Sequence, residues 1–238
     1  MKIGMIGAMQ MEVDTLQESM TDIRIEECSG VRFICGRMGD AEVVAAVCGI
    51  GKVFAAICAE AMILRYQVDC VINIGVAGSL TKDLGVLDVA VASSVVQHDM
   101  NTSAIGDPVG LLSGINEIFL PADARMNALL GECLDEEGIS YMVGPIATGD
   151  LFVEGDKRKK VIRSRFGAIA AEMEGGSIGQ VCYVNHVPFA ILRSISDSEG
   201  GAMDYETFAE QAALQSIAVV VRLVGKLVHR PKINHASC

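Results

Sequence analysis

Short apolar runs recur along this chain, and how they end defines the elements. "KIGMIGAM", "VRFICGRM", "AEVVAAVCGIG", "VDCVINIGVAG", "VLDVAVASSVV", "ISYMVGPIATG", "FGAIAAEME" and "VPFAILRSISD" are rich in Val, Ile and Ala and close on Gly, Ser or acidic residues. Such runs read as strands, and several are apolar on both faces. Between them lie "KVFAAICAEAMILRYQ", "ADARMNALLGECLDEEG", "GDKRKKVIRSRF", "GGSIGQVCYVNH" and the long "YETFAEQAALQSIAVVVRLVGKLVHR", whose apolar residues have helical spacing. Strands alternating with helices predict the α/β class, with a largely parallel or mixed sheet covered by helices on both faces. No Pro- or Ser-rich linker and no repeat divides the chain, so residues 1–230 are expected to form one domain and 231–238 a disordered tail. The Gly-punctuated stretch from Asn101 to Pro121 reads as a long loop, and loops of that length usually serve function or an interface.

Composition narrows the class. A chain of 238 residues with 51% hydrophobic positions can bury a substantial core. Its net charge of -11 opposes binding to a phosphate backbone, and the basic cluster Asp156 to Arg165 has the spacing of a solvated helix face. Nucleic acid is not an expected partner. The eight cysteines include no C-x-x-C pair and sit mostly in apolar runs, as in a reducing compartment. Gly4, Gly7, Gln10 and Glu12 break the first apolar stretch too early for a signal peptide. Arg222 and Lys226 interrupt the most apolar segment, so no membrane span is expected. The expected location is cytoplasmic.

Ligands of such folds sit beyond the carboxyl ends of the strands. Glu12 follows the first run after "GAMQM", Asp197 closes "AILRSISD" and Glu172 with Glu174 closes "FGAIAA", so three strands deliver acids to one rim. Burying two carboxylates in "AIAAEMEGG" is costly without partners, so either they are used or the chain surfaces there. "CGIGK", "NIGVAGS" and "ATGDLF" add glycines that permit a sharp turn or close approach of a ligand. Gly51-Lys52 lacks the following Ser/Thr of a P-loop, and no G-x-G-x-x-G follows a strand. The four histidines show no metal-ligand spacing, and no G-x-S-x-G elbow is present. No metal and no cofactor are expected, which leaves carboxylate chemistry.

Taken together, "MKIGMIGAMQMEV", "GIGKV", "VINIGVAGSL", "TGDLF", "AAEMEG" and "VPFAILRSISD" resemble the bacterial 5'-methylthioadenosine/S-adenosylhomocysteine nucleosidases of the nucleoside phosphorylase-I superfamily. The likeness runs to about Val228. It implies a three-layer α/β/α sandwich around a mixed, barrel-like sheet, assembled as a homodimer, and hydrolysis of the adenine–ribose bond of 5'-thioether nucleosides. By resemblance, Asp197 is the general acid to adenine N7, Glu12 the general base for water and Arg193 a fixed cation near that water. Glu174 binds the ribose hydroxyls and Met173 packs on the sugar. Strand alternation places Glu172 on the face of Glu174, where it touches ribose or binds a neighbouring backbone group. Phe152 stacks on adenine and Val153 offers its backbone, although a core phenylalanine is the plain alternative. Met9 and Ile50 match the 5'-thioether slot, which a neighbouring subunit completes near Thr102 and Ile105; read alone they are ordinary core residues.

Two departures stand out. "GVAGS" puts Val76 where many members have a serine that helps hold water and sugar, and "SEGGAMDYETF" aligns about two residues short, with Tyr205 in place of Phe over the substrate. Two other readings share the fold: a phosphorylase using phosphate in place of water, and an inactive nucleoside-binding homologue. Glu12 argues against the first, because a carboxylate repels a phosphate dianion. The joint presence of Glu12, Glu174 and Asp197 argues against the second. Preference among methylthioadenosine, S-adenosylhomocysteine, 5'-deoxyadenosine and aminodeoxyfutalosine-type nucleosides is not written in these motifs.

Overall fold

The computed structural model describes residues 1–7, 10–197 and 205–230; the side chains of Glu12, Asp197, Tyr205, Glu206, Thr207, Ala209 and Glu210 lie outside that description, as do Met9 and the expected tail. In chain order the elements are β1 (Lys2–Gly7), α1 (Gln10–Glu18), β2 (Thr21–Cys28), β3 (Val31–Met38), β4 (Ala41–Val47) and α2 (Lys52–Leu64). They continue with β5 (Cys70–Asn73), β6 (Val76–Ser79), β7 (Val89–Gln97), a 3-10 turn (Ser103–Ile105), β8 (Leu120–Pro121), α3 (Ala124–Glu137) and β9 (Tyr141–Thr148). The last are α4 (Asp156–Phe166), β10 (Ala170–Glu172), α5 (Gly175–Val184), β11 (Phe189–Asp197) and α6 (Tyr205–His229).

The strands form one mixed sheet in the order β2-β3-β4-β1-β5-β11-β6-β10-β9-β7-β8. β1, β4, β5, β11 and β6 run parallel, and buried parallel strands account for the continuous apolar runs that encode them. β11 is the pivot. It pairs in parallel with β5 through Phe189 to Ile191, antiparallel with β7 through Leu192 to Ser194, and in parallel with β6 from Ser194 onward. The β11–β7 pairing closes β11, β6, β10, β9 and β7 into a five-stranded barrel.

Helices cover both faces, giving the expected three layers. On one side Ala55, Cys58, Ala59 and Met62 of α2 and Ile178 and Cys182 of α5 enter the core. On the other, Val13 and Leu16 of α1, Leu130 and Leu134 of α3 and Ile217, Leu223 and Leu227 of α6 do so. Helix α5 lies tight on the barrel: a Cβ at Gly176 would stand 2.7 Å from Thr148 Cβ, and one at Gly179 2.7 Å from Val95 Cγ2. The Gln211–His229 part of α6 is long and apolar enough to cross a membrane by length and composition. Half of it is buried against the core, however, and Lys226 reaches Glu132 and Glu136 of α3 at 2.9 and 2.7 Å, so it serves as a packing helix.

Three details depart from the pattern-based expectation. The short α1 and the exposed edge strand β2 were not among the predicted elements. "VDCVINIGVAG" is two strands, β5 and β6, with β11 inserted between them. The Asn101–Pro121 stretch carries a 3-10 turn, β8 and an isolated bridge between Leu112 and Glu117.

Candidate active site

The site gathers where β5, β10 and β11 meet the start of α5. Arg193, in the middle of β11, is completely buried. Its Nη1 donates to Ile74 O at 2.6 Å, and its Nη2 donates to Asn73 Oδ1 at 2.6 Å and to Glu172 Oε2. Glu174 Oε2 stands 3.7 Å from the same nitrogen. The guanidinium occupies the space over Gly75, where a Cβ would meet Arg193 Nη1 at 2.0 Å. This close approach explains the glycine of "NIGVAG".

Glu172 ends β10, and the chain then turns. Its Oε2 also accepts the backbone N–H of Glu174 at 3.0 Å and of Gly175 at 2.6 Å, and its Oε1 accepts the Thr148 hydroxyl. Thr148 in turn accepts Gly176 N–H at 2.6 Å. An anion at the start of α5 is thus met by backbone donors, a favourable place for negative charge. The alternation argument therefore needs correcting. Glu172 and Glu174 do not share a strand face, because β10 stops at Glu172 and Glu174 is the residue from which α5 starts. Of the two roles open to Glu172, the geometry matches binding of backbone groups, with Arg193 added.

Glu174 is buried, and its Oε1 accepts Gly51 N–H at 3.0 Å. Burial pushes its carboxyl above the usual range; Arg193 pulls it back, Glu172 pushes it up again, and the Gly51 N–H lowers it, with a net upward shift. Among the described residues one cation, Arg193, faces both acids. Beside it, the Cys48 thiol is pushed up to about 12 by burial and then by Glu174, so it stays protonated and donates to Gly49 O at 3.1 Å.

The other expected residues fall around this cluster. Val76 opens β6, half-buried, paired in register with Ser194, and Asp197 ends β11 opposite Gly78. Glu12 lies on α1 rather than at a strand end. Met173 is half-buried between the two acids. Phe152 is 76% exposed, so the core alternative for it fails, whereas Val153 packs against a small cluster around Phe166. Ile50 is likewise no core residue at 74% exposure; with Cys48, Gly49, Gln10, Val13 and Phe54 it lines a cavity of about 540 Å³. Met9 and the side chains of Glu12, Asp197 and Tyr205 lie outside the described residues. Thr102 donates to Asp107 at 2.8 Å, and Ile105 is 82% exposed on its loop.

Sequence reasoning missed Asn73, Thr148, Lys52, Asp99 and Asp150. Lys52 Nζ donates to Asp99 Oδ1 at 2.8 Å, and Asp150 Oδ1 accepts Lys52 N–H at 2.7 Å. The available signal was the place of Lys52 in "CGIGK", of Thr148 and Asp150 in "ATGD" and of Asn73 in "NIGVAGS", beside glycines already singled out; Asp99 lies in none of these motifs. Chemically, the arrangement presents a buried carboxylate of raised proton affinity, backed by a fixed cation, at a rim with a cavity of mixed lining nearby, in which Gln10 and Arg32 join Val13, Ile34 and Ile50.

A family model described as the phosphorylase superfamily matches residues 2–225. The 5'-methylthioadenosine/S-adenosylhomocysteine nucleosidase of Shewanella piezotolerans is 36% identical over 231 residues, covering 95% of this chain and 100% of the relative. The aminodeoxyfutalosine nucleosidase of Helicobacter pylori is 38% identical over 230 residues, covering 95% of this chain and 99% of the relative. The crystal structure of the Campylobacter jejuni 5'-methylthioadenosine/S-adenosyl homocysteine nucleosidase superposes with a TM-score of 0.91 at 35% identity, covering 95% and 99% of the two chains.

Proposed function

Because this chain belongs to the phosphorylase superfamily, among its 5'-methylthioadenosine/S-adenosylhomocysteine nucleosidases, and is an N-glycosyl hydrolase, we propose that it hydrolyses the adenine–ribose bond of 5'-methylthioadenosine and S-adenosylhomocysteine. The observation that carries the assignment of roles is the unequal pair of acids. Glu172 is saturated by Arg193, Thr148 and two backbone N–H groups, whereas the Glu174 carboxylate accepts Gly51 N–H and faces Arg193 only at 3.7 Å. A carboxylate accepts about four hydrogen bonds, so Glu174 has capacity for the 2' and 3' hydroxyls of a ribose. Accepting those hydrogen bonds pushes electron density onto the sugar oxygens and stabilises a sugar that becomes oxocarbenium-like as the bond to adenine breaks.

The leaving adenine needs a proton at N7, which Asp197 supplies, while Glu12 removes a proton from the water attacking C1'. Arg193, through Glu172 and Glu174, holds the acidic side of the site in place. Phe152 and Val153 receive adenine, Met173 packs on the sugar, Tyr205 covers it, and Met9 and Ile50 take the 5'-thioether. Val76 leaves the water without the hydroxyl that many relatives place there. Exposed Val53 and Leu64 on α2, Val184 on α5 and Ile105 support a homodimer whose neighbouring loop near Thr102 and Ile105 completes the 5' slot. A second reading follows from the cavity beside Ile50: at about 540 Å³ it has room for a larger 5' group, as on an aminodeoxyfutalosine-type nucleoside.

Adenine release from 5'-methylthioadenosine, assayed in phosphate-free buffer and again with phosphate, tests the reading. Free 5-methylthioribose in both buffers supports hydrolysis with Glu12 as base. A sugar 1-phosphate formed only with phosphate overturns it. Asp197→Asn and Glu12→Gln should each cost about a hundredfold to ten-thousandfold in kcat, the usual worth of a positioned acid or base.

A further inference from the structure

We propose that Asp99, Lys52 and Asp150 form a positioning ring that sets the spacing between the sugar-binding and base-binding halves of the site; the proposal rests on the nucleosidase reading. Helix α2 starts at a glycine with no side chain to cap it. Its first two N–H groups are instead directed at carboxylates from distant parts of the chain: Gly51 N–H at Glu174 Oε1, 3.0 Å, and Lys52 N–H at Asp150 Oδ1, 2.7 Å. Asp99, just past β7, then joins the two. Its Oδ1 accepts Lys52 Nζ at 2.8 Å and its Oδ2 accepts Asp150 N–H at 2.9 Å, so three residues from three elements close a loop of hydrogen bonds. Lys52 Nζ also donates to Gln97 Oε1 at 3.2 Å, and Gln97 Nε2 donates to Gln180 Oε1 of α5 at 2.6 Å.

Each arm of the ring ends in the site. One arm fixes the Gly51 peptide whose N–H holds Glu174. The other fixes residue 150, two positions before Phe152 and three before Val153. Gly51 has no latitude: its φ of 99° is left-handed, and a Cβ there would stand 3.1 Å from Asp150 Oδ1. Asp99 remains ionised, since the lowering by Lys52 and the Asp150 N–H outweighs the rise from burial. The Lys52–Asp99 pair is partly exposed, with side-chain exposures of 19% and 26%, and such pairs contribute little to global stability. The effect of the ring therefore belongs at the site.

The test uses two probes with the full-length protein: adenine alone, and a C-nucleoside analogue of 5'-methylthioadenosine whose carbon–carbon link cannot be hydrolysed. Lys52→Met removes the Nζ bonds to Asp99 and Gln97 and so loosens the Gly51 side, whose N–H at position 52 still reaches Asp150, and it leaves Asp99 on Asp150. It should weaken the analogue about tenfold, leave adenine affinity unchanged, and raise KM with little change in kcat. Asp99→Ala removes the bonds to both Lys52 Nζ and Asp150 N–H, loosens both arms and should weaken both probes. Lys52→Arg, which keeps the donor, should restore analogue affinity, and Lys52→Gln serves in place of Lys52→Met if that variant does not fold. Equal loss of both probes in Lys52→Met, no loss in Asp99→Ala, or losses that track a lowered Tm would overturn the proposal. A wild-type protein that neither binds the probes nor releases adenine would instead overturn the nucleosidase reading itself.

Discussion

Replacing Arg193 by methionine would remove the cation that, among the described residues, faces both Glu172 and Glu174, while keeping most of the side-chain volume. The wild-type guanidinium is fully buried and donates to Ile74 O, Asn73 Oδ1 and Glu172. Breaking a buried ion pair from one side typically costs about 3–5 kcal/mol, because the remaining charge is stranded. Here Glu172 retains two backbone N–H groups and Thr148, and Glu174 retains Gly51 N–H, which places the loss near the lower end, about 3 kcal/mol. The loss should depend on pH. Without the lowering influence of Arg193, the folded-state proton affinity of Glu174 rises further, so the native state binds a proton more tightly than the unfolded chain. Stability then falls as pH rises through the window between the unfolded and folded values. Urea unfolding followed from pH 8 down toward the ordinary carboxyl value of 4.5 should show about 3 kcal/mol lost at pH 8 and a loss that shrinks as pH falls. A loss under about 1 kcal/mol at pH 8, or one that does not shrink anywhere in that range, would refute the reasoning.

Glu174→Gln should remove the wild-type share of this effect: its advantage over wild type grows as pH rises above the ordinary 4.5, measured by the same titration, while turnover is lost. Gly75→Ala puts a methyl 2.0 Å from Arg193 Nη1, so differential scanning calorimetry should show a destabilisation of about 3 kcal/mol, with loss of adenine release. Thr148→Val deletes a completely buried hydroxyl that serves Glu172 and Gly176 N–H; a loss of about 1–3 kcal/mol in urea unfolding is expected, and a neutral result would show that the hydroxyl is dispensable.

What the sequence discloses follows the physics of each element. β1, β4, β5 and β11 are legible because strands buried on both faces must be apolar throughout. β2 is not, since "TDIRIEEC" is an edge strand exposed along most of its length and carries charges at Asp22, Arg24, Glu26 and Glu27. Barrel closure is invisible locally, being a pairing between β11 and β7 about a hundred residues apart. The acids of "AEMEGG" are buried and face Arg193, as the cost of burying two carboxylates requires, but strand alternation stops at Glu172, the end of β10, and does not reach Glu174. The glycines at 175 and 176 were the sign that a helix begins there. Met9 and Ile50 read as core or slot, and the exposure of Ile50 removes the core reading for it. The Asp99 ring had no motif to announce it, because its members are joined only by the ends of β7, β9 and the start of α2.

The insertion of β11 between β5 and β6 also bears on how the molecule is made. β5 and β6 are separated by two residues in the chain, yet the strand that joins them side by side is synthesised more than a hundred residues later. A nascent chain emerging from the ribosome therefore carries β5 with an unpaired edge and cannot close the barrel until its last fifth appears. Pairings so distant in sequence are slow to form, and open edges invite association with other chains. Arg193 rides on that late strand, so the acids it joins meet their cation only as synthesis nears its end.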